Sequence, residues 1–305
     1  MNKIPLETTI GGAYRFFFTR ILSILGTVWL PFLAMIALWA GTAWLVVPHD
    51  WWLGKFPVID DRNPDFWTVW SIMRPIAEGL PLLILASLIV EAMIIVGLLR
   101  LALGEKKHSF VFFDLGGDVW RLILVWIICF FIVIFAEIGV VAAGVIAGFV
   151  AKIWAATGWA VAIGILVGIA GACFAVYACV RLMFFLPVVI VAEHRIGFGH
   201  SWQLGGGNFW RIVLIFLVIA IPVGIVGGMI SNMTVMPVVM GHLMQFGNKP
   251  DPAQIQAFLR ALPPLIPWFI GVSLLERLAM LGLIAGALGT AYNALTPKQE
   301  ETKGA

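Results

Sequence analysis

A short motif occurs twice in the chain, each time directly before a long apolar run. Residues 116–121 read Gly-Gly-Asp-Val-Trp-Arg, and residues 206–211 read Gly-Gly-Asn-Phe-Trp-Arg. A fainter third copy begins the chain, where Arg20 precedes the first apolar run. Internal repeats of this size are typical of arrays of similar units. The sequence therefore predicts three tandem units, at about residues 5–103, 107–190 and 196–295.

The composition identifies the solvent of these units as lipid. Apolar residues make up 62% of the chain and charged residues 11%, whereas roughly 25% of a soluble protein is charged. The mean hydropathy of +1.03 leaves too little polar surface to cover a water-soluble globule. The net charge of +3 is small and scattered, so we expect no nucleic-acid partner and expect membrane lipids instead.

Six apolar runs are long enough to cross a membrane, which takes about 20 residues in a helix. They lie at about residues 21–47, 77–103, 120–150, 158–190, 210–240 and 264–294. A membrane β-barrel needs alternating segments of about ten residues, and these runs are continuous. The predicted fold is all-α, a single membrane domain over residues 1–305 with six transmembrane helices. Proline marks the expected breaks, at Pro187, Pro222 and Pro237.

Basic residues near the ends of the spans predict the orientation. Of the 19 Lys and Arg residues, 12 fall on the side that holds both termini, 6 fall on the other side, and Arg277 lies inside a span. Cytoplasmic loops carry the excess of Lys and Arg. Both termini are therefore expected in the cytoplasm.

Each unit is predicted to contain an interfacial helix followed by two spans. The leading segments lie at about residues 5–20, 107–120 and 196–210. When Arg20 is aligned with Arg211, Pro31 falls on Pro222 without a gap. Units of two spans keep their orientation on repetition, so the expected symmetry is a pseudo-rotation about the membrane normal.

Small residues spaced by four predict close helix packing within the spans. They are Gly164, Gly168 and Ala172, then Gly224 and Gly228, then Gly282 and Gly286.

The region 181–211 resembles a known family. It contains, in order, Arg181-Leu182, Leu186-Pro187, Val191-Ala192-Glu193, Ser201-Trp202-Gln203-Leu204 and Gly207-Asn208-Phe209-Trp210-Arg211, and the last span ends in Thr290-Ala291-Tyr292-Asn293-Ala294-Leu295. This pattern is similar to the signature of bacterial YciC-like proteins and to the membrane domain attached to some glycerophosphoryl diester phosphodiesterases. The resemblance implies a bacterial inner-membrane protein and no catalytic residues. Because the chain ends about ten residues after the last span, we expect no phosphodiesterase domain.

Ionisable groups inside hydrocarbon are costly and often functional. Four stand out in the predicted spans: Glu91, Glu137, Glu276 and Arg277. They could line a polar pathway or a substrate-headgroup site between helices. Alternatively, Arg277 could pair with Glu91 or Glu137 and fix the register of the helices. Because neighbouring residues on a helix point in different directions, Glu276 and Arg277 should have separate partners.

Lipid phosphates are the expected ligands at the cytoplasmic ends of the spans. The candidate headgroup contacts are Arg20, Arg100, Arg121, Arg181, Arg211, Gly206 and Gly207. Long cationic side chains can extend from a span end to the headgroups, and backbone amides in a glycine cluster can bind phosphate. The alternative for Gly205, Gly206 and Gly207 is a tight elbow between an interfacial helix and a span.

No catalytic, metal or cofactor site is predicted. The cysteines, Cys129, Cys173 and Cys179, lie in spans, and the five histidines lack metal-ligand spacing. The leading hypothesis is a non-enzymatic inner-membrane protein with a structural, partner-binding or envelope-homeostasis role, including a membrane-protein partner. The alternative is a transporter or lipid-handling protein that uses the intramembrane charges. A hydrated cavity converging on those acids would favour the alternative, and a dry interior packed through glycine would favour the first.

Overall fold

A computed structural model describes residues 3–46, 66–105, 114–154, 157–244 and 265–296, together with residues 254, 257, 258 and 261. The helices with defined bounds are α1 (Leu6–Thr19), α2 (Ile21–Val46), α3 (Phe66–Leu103), α4 (Gly117–Trp154), α5 (Thr157–Met183), α6 (Leu186–Glu193), α7 (Phe198–Leu204), α8 (Phe209–Leu243) and α9 (Ile266–Leu295). An α-helix satisfies its own backbone hydrogen bonds, as lipid requires.

Six stretches are long and apolar enough to cross a membrane: Ile21–Thr42, Ala77–Leu103, Gly117–Val150, Gly164–Glu193, Phe209–Met233 and Ile270–Leu295. Each overlaps one of the six runs predicted from the sequence. The all-helical fold with six candidate spans is therefore confirmed, and the chain is a multi-pass membrane protein.

The prolines interrupt the helices less than predicted. Pro187 does follow a break, because a turn at residues 184–185 separates α5 from α6. Pro222 and Pro237, in contrast, lie inside the continuous helix α8, and Pro31 lies inside α2. In lipid, neighbouring groups can satisfy the carbonyl that a proline leaves without its donor.

The first and last described residues lie at the same end of the helix bundle. A Cβ on Gly12 in α1 would come within 2.7 Å of the hydroxyl of Thr290 in α9. The backbone amide of Ile4 donates a hydrogen bond to Asn208, directly before α8. We name this end of the bundle the polar end. It comprises residues 3–20, 100–105, 114–121, 181–211 and 290–296.

The tightly packed core lies toward the polar end. Fully or nearly fully buried side chains there come from α3, α4, α6, α8 and α9, for example Leu98, Leu122, Ile190, Ile215 and Leu288. Toward the opposite end the helices expose large apolar side chains, including Leu82, Ile146, Leu166, Met229 and Met233. Lipid can solvate these side chains, so their exposure is compatible with a membrane protein.

Glycine packing is confirmed at some of the predicted positions and absent at others. A Cβ on Gly164 in α5 would lie 3.3 Å from the carbonyl oxygen of Gly144 in α4, so the two backbones approach closely. Gly282 and Gly286 of α9 are covered by side chains of α1. In contrast, no atom of another described element lies within 4 Å of a Cβ placed on Gly168, Gly224 or Gly228.

Helix α1 packs lengthwise against α9. Its Phe17 lies against Gly282, its Phe16 against Gly286 and its Gly12 against Thr290. The residue numbers of these contacts rise along α1 and fall along α9, so the two helices run antiparallel for about two turns. The interfacial position predicted for this segment stays a prediction, and the structure adds its contact with α9.

The predicted threefold repeat remains a prediction, because the packing of the described helices shows no repeat symmetry. The second predicted leading segment, residues 107–120, lies mostly outside the described residues, since 106–113 are not described. The two copies of the motif do share one local feature. Asp118 and Asn208 occupy the same position in the motif, and both are buried beside the start of a span.

Candidate functional site

The intramembrane arginine is paired with an acid on another helix. In the structure, Nη2 of Arg277 in α9 lies 2.7 Å from Oε2 of Glu91 in α3. Of the two partners considered for Arg277 from the sequence, the structure selects Glu91. The pair joins two of the central helices and neutralises both charges. This geometry favours a role in fixing helix register.

Glu276 occupies a different environment, as expected for the neighbour of Arg277. It lines an apolar groove between α8 and α9, and a Cβ on Gly227 would lie 2.7 Å from its carboxyl carbon. Glu276 has no ion-pair partner among the residues that the structure describes.

Glu137 lies on the exposed face of α4. In the described part of the chain it has neither a hydrogen bond nor an ion pair. Its neighbours on α4, Phe135 and Ile138, expose 68% and 58% of their surface. The three intramembrane acids thus occupy three separate places, and the described residues do not join them into one polar pathway.

The richest polar cluster lies at the polar end and is centred on Asp118. This carboxylate is almost completely buried and accepts from Arg100 (Nη2, 2.6 Å) and Arg121 (Nη1, 2.8 Å). Asp114 binds the second terminal nitrogen of Arg100. The Nδ1 atom of His194 lies 3.1 Å from the same carboxylate. Arg100 and Arg121, both predicted headgroup contacts, therefore form ion pairs with protein carboxylates.

His194 reaches Asp118 because of its backbone conformation. It follows the last residue of α6 with φ at +51°, in the left-handed region that non-glycine residues seldom adopt. The chain reverses there, so that α7 can begin at Phe198. On the near side of this turn, Glu193 binds Arg195 and His200, and the hydroxyl of Tyr292 in α9 lies 3.5 Å from the same carboxylate. The turn therefore links α4, α6, α7 and α9.

Arg181, another predicted headgroup contact, is held by aromatic residues. Its guanidinium carbon lies 4.1 Å from the centre of the Trp202 ring, a distance typical of a cation–π contact. Its Nε also donates to the backbone carbonyl of Trp202, and its Nη1 donates to the hydroxyl of Tyr177. These contacts fasten the end of α5 to α7.

The N-terminal segment is clamped to the start of α8. The Ile4 amide donates to Oδ1 of Asn208 at 3.0 Å, and Arg211 donates to the carbonyl of Ile4. Arg20 is exposed, and its Nη1 lies 3.4 Å from the carbonyl of Leu101. Arg20 and Arg211 thus each contact a backbone carbonyl that lies far away in the sequence.

The glycine cluster forms a tight elbow. The backbone amide of Gly205 donates to the carbonyl oxygen of Ser201, and the backbone amide of Gly206 donates to the carbonyl oxygen of Gln203. Neither of these two amides is therefore free to bind phosphate. Gly207 has φ at +70°, which favours glycine because a side chain would be strained there. A Cβ on Gly205 would overlap the carbonyl oxygen of Arg181. The geometry therefore supports the elbow interpretation.

The sequence alone does not identify the residues at the centre of the polar cluster as site residues, namely Asp118, Glu193 and His194. One signal was present in the repeated motif, where Asp118 and Asn208 are the polar residues directly before an apolar run. A buried polar group at that position requires partners. The pairing of Asp118 with His194 could not be foreseen, because it depends on the turn after α6.

Comparison with known proteins does not extend the assignment. No protein-family model matches the chain, and no curated protein or solved structure is similar enough to match. In the described part of the chain, no group of three or more His, Cys, Asp or Glu side chains is arranged to hold a metal ion.

Proposed function

We propose that the protein is a non-enzymatic polytopic component of the bacterial inner membrane that binds a second membrane protein. The observation that carries this proposal is the carboxylate of Glu137 on the exposed face of α4, for which the described residues supply no partner. The supporting residues lie in the hairpin formed by α4 and α5, whose first helix contains the least buried of the six candidate spans.

The face of α4 around Glu137 is apolar. Phe130, seven residues before Glu137, and Val141, four residues after it, lie on the same side of the helix, and both are more than half exposed. Lipid can cover those side chains, but it provides no partner for a carboxylate in hydrocarbon, where a charge is costly. A transmembrane helix with a Lys, Arg or amide side chain would meet that need. We therefore propose that such a transmembrane helix of a partner protein packs against this face.

The polar end suits a protein that presents such a surface. Its hydrogen bonds and ion pairs join α1, α3, α4, α6, α7, α8 and α9 into one rigid base. The α4–α5 hairpin extends from this base with its outer half exposed. Transport is less well supported, because Glu91 is neutralised by Arg277 and the other acids lie apart from it.

The cellular setting belongs to the same proposal. The resemblance to YciC-like proteins and the basic bias of 12 to 6 support an inner-membrane protein with cytoplasmic termini. Reporter fusions after residues 60, 110, 155 and 250 test this orientation. We expect a cytoplasmic reporter to be active only at position 110. Activity of that reporter at position 60 would contradict the orientation.

Photo-crosslinking in native membranes tests the partner. A photoreactive amino acid replaces Phe130, Val141 or, as a control on another exposed helix face, Leu82. We expect the first two positions to crosslink to one protein, through a transmembrane segment with a Lys, Arg or amide side chain within one turn of the crosslink. The additional change Glu137→Leu should abolish that product.

Three outcomes would overturn the proposed partner. They are adducts to lipid alone, adducts to a second copy of this chain, and a protein adduct that persists unchanged with Glu137→Leu. Equal labelling of the same protein from Leu82 would also count against it, because the contact would then lack a defined face.

A second candidate function is lipid handling, which is favoured by the apolar groove beside Glu276.

A further inference from the structure

A groove of about 500 Å³ runs along the bundle between α8 and α9. This volume falls within the roughly 300–1,000 Å³ typical of small-molecule sites. Its walls are apolar: α8 contributes Pro222 to Ile230, and α9 contributes Pro267 to Leu283. Tyr14, Phe17 and Phe18 of α1 close the end nearest the polar end.

The shape of the groove fits an acyl chain better than a helix. Seventeen residues of α9, from Pro267 to Leu283, extend about 24 Å at a rise of 1.5 Å per residue. A helix of that length and about 10 Å diameter occupies about 1,900 Å³, more than the approximately 1,160 Å³ of all empty space in the groove and its open mouth. One leaflet of the hydrocarbon core is about 15 Å thick, so one lipid chain extends along most of the groove.

Among the described residues that line the groove, Glu276 is the charged one. Its carboxyl group lies against Gly227, where the absence of a side chain leaves room for it. The described residues supply no ion-pair or hydrogen-bond partner for this carboxylate. A carboxylate among apolar walls needs a cationic donor to offset its desolvation, and an anionic lipid headgroup would be repelled.

Glu276 lies in the N-terminal half of α9. It is six residues, a rise of about 9 Å along the helix, from Ile270, the first residue of the candidate span. Side chains tilt toward the N-terminus of their helix, which brings the carboxylate closer to that end of the span. The exposed Trp268 lies at the same end of the groove.

We propose that this groove binds a membrane phospholipid with a primary-amine headgroup, whose ammonium group contacts Glu276 while an acyl chain lies between α8 and α9. The proposal concerns another face than Glu137 and does not depend on the proposed protein partner. It assigns Glu276 to lipid headgroup selection.

Lipid retention by the full chain tests the site. The protein is reconstituted in nanodiscs of phosphatidylethanolamine and phosphatidylglycerol, or of phosphatidylcholine and phosphatidylglycerol. It is then transferred to detergent, and the bound lipids are counted by native mass spectrometry. We expect wild type to retain phosphatidylethanolamine, and Glu276→Gln to retain about ten-fold less, because a charge-assisted hydrogen bond is lost. Glu137→Gln, the matched acid on another helix, should retain as much as wild type.

A second pair of variants tests the groove while Glu276 is kept. Gly227→Leu fills the wall beside Glu276 and should abolish retention, whereas Gly224→Leu, one turn away on α8 and outside the lining, should not. Equal thermal stability of the two variants in detergent shows that both are folded. Equal retention of phosphatidylcholine and phosphatidylethanolamine, retention unaffected by Glu276→Gln, or retention equally affected by Glu137→Gln would overturn the proposal.

Discussion

Breaking the Glu91–Arg277 pair should destabilise the protein, because either partner alone leaves an uncompensated charge inside a span. The two groups lie 2.7 Å apart with exposed fractions of 29% and 41%, and both lie within candidate spans. An ionised group near the centre of a span costs about 2.5–3.5 kcal/mol on insertion scales. Each single change, Glu91→Leu or Arg277→Met, should therefore lower the free energy of unfolding by about 3 kcal/mol at pH 7.

The double variant measures the interaction itself. Replacing both charges by apolar side chains should restore stability to within about 1 kcal/mol of wild type, as found when buried ion pairs are replaced. The measurement is unfolding in mixed micelles at pH 7, with Leu275→Met as a control on the same helix. Additive effects of the two single changes in the double variant would refute the reasoning.

Three further changes test the polar end. Asp118→Asn keeps the shape of the buried side chain but removes the negative charge that faces Arg100, Arg121 and His194. We expect the free energy of unfolding to fall by about 2–3 kcal/mol. An unchanged thermal midpoint would count against a stabilising role of the cluster. Gly205→Ala should lower the free energy of unfolding by about 1–3 kcal/mol, because the added Cβ meets the backbone of Arg181. Gly199→Ala is the control and should have a small effect, because the space around Gly199 is open. Equal yields of folded protein for the two variants would contradict the tight elbow. Arg211→Lys should be mild and Arg211→Glu severe, because Lys can still donate to the Ile4 carbonyl and Glu cannot; equal folded yields from membranes for both would show that this contact is dispensable.

The spans were predictable because length and hydropathy alone determine them. Each of the six predicted runs overlaps a candidate span, and the intramembrane pairing was among the stated alternatives. Helix neighbours were not predictable in the same way, because apolar side chains specify burial without specifying a partner. The packing of α1 against α9 is the clearest example.

The polar cluster shows a second limit of the sequence. Arginines near span ends predict headgroup contacts equally well whether or not a carboxylate lies beside them in space. Asp118 becomes the partner of Arg100 only because α3 and α4 meet at the polar end. The backbone conformation of His194, with φ at +51°, could not be predicted from the residue type.

The clamp between Ile4 and Asn208 has a consequence for biogenesis. The two residues are 204 positions apart, and a ribosome adds about 5–20 residues per second. The N-terminal segment therefore waits about 10–40 s for Asn208 to be synthesised, and longer still for α9, against which α1 packs. Throughout that interval the apolar side chains of α1 lack the surface of α9 that covers them in the folded protein, so they must be covered by lipid at the membrane surface. The first helix to be made is thus among the last to reach its place.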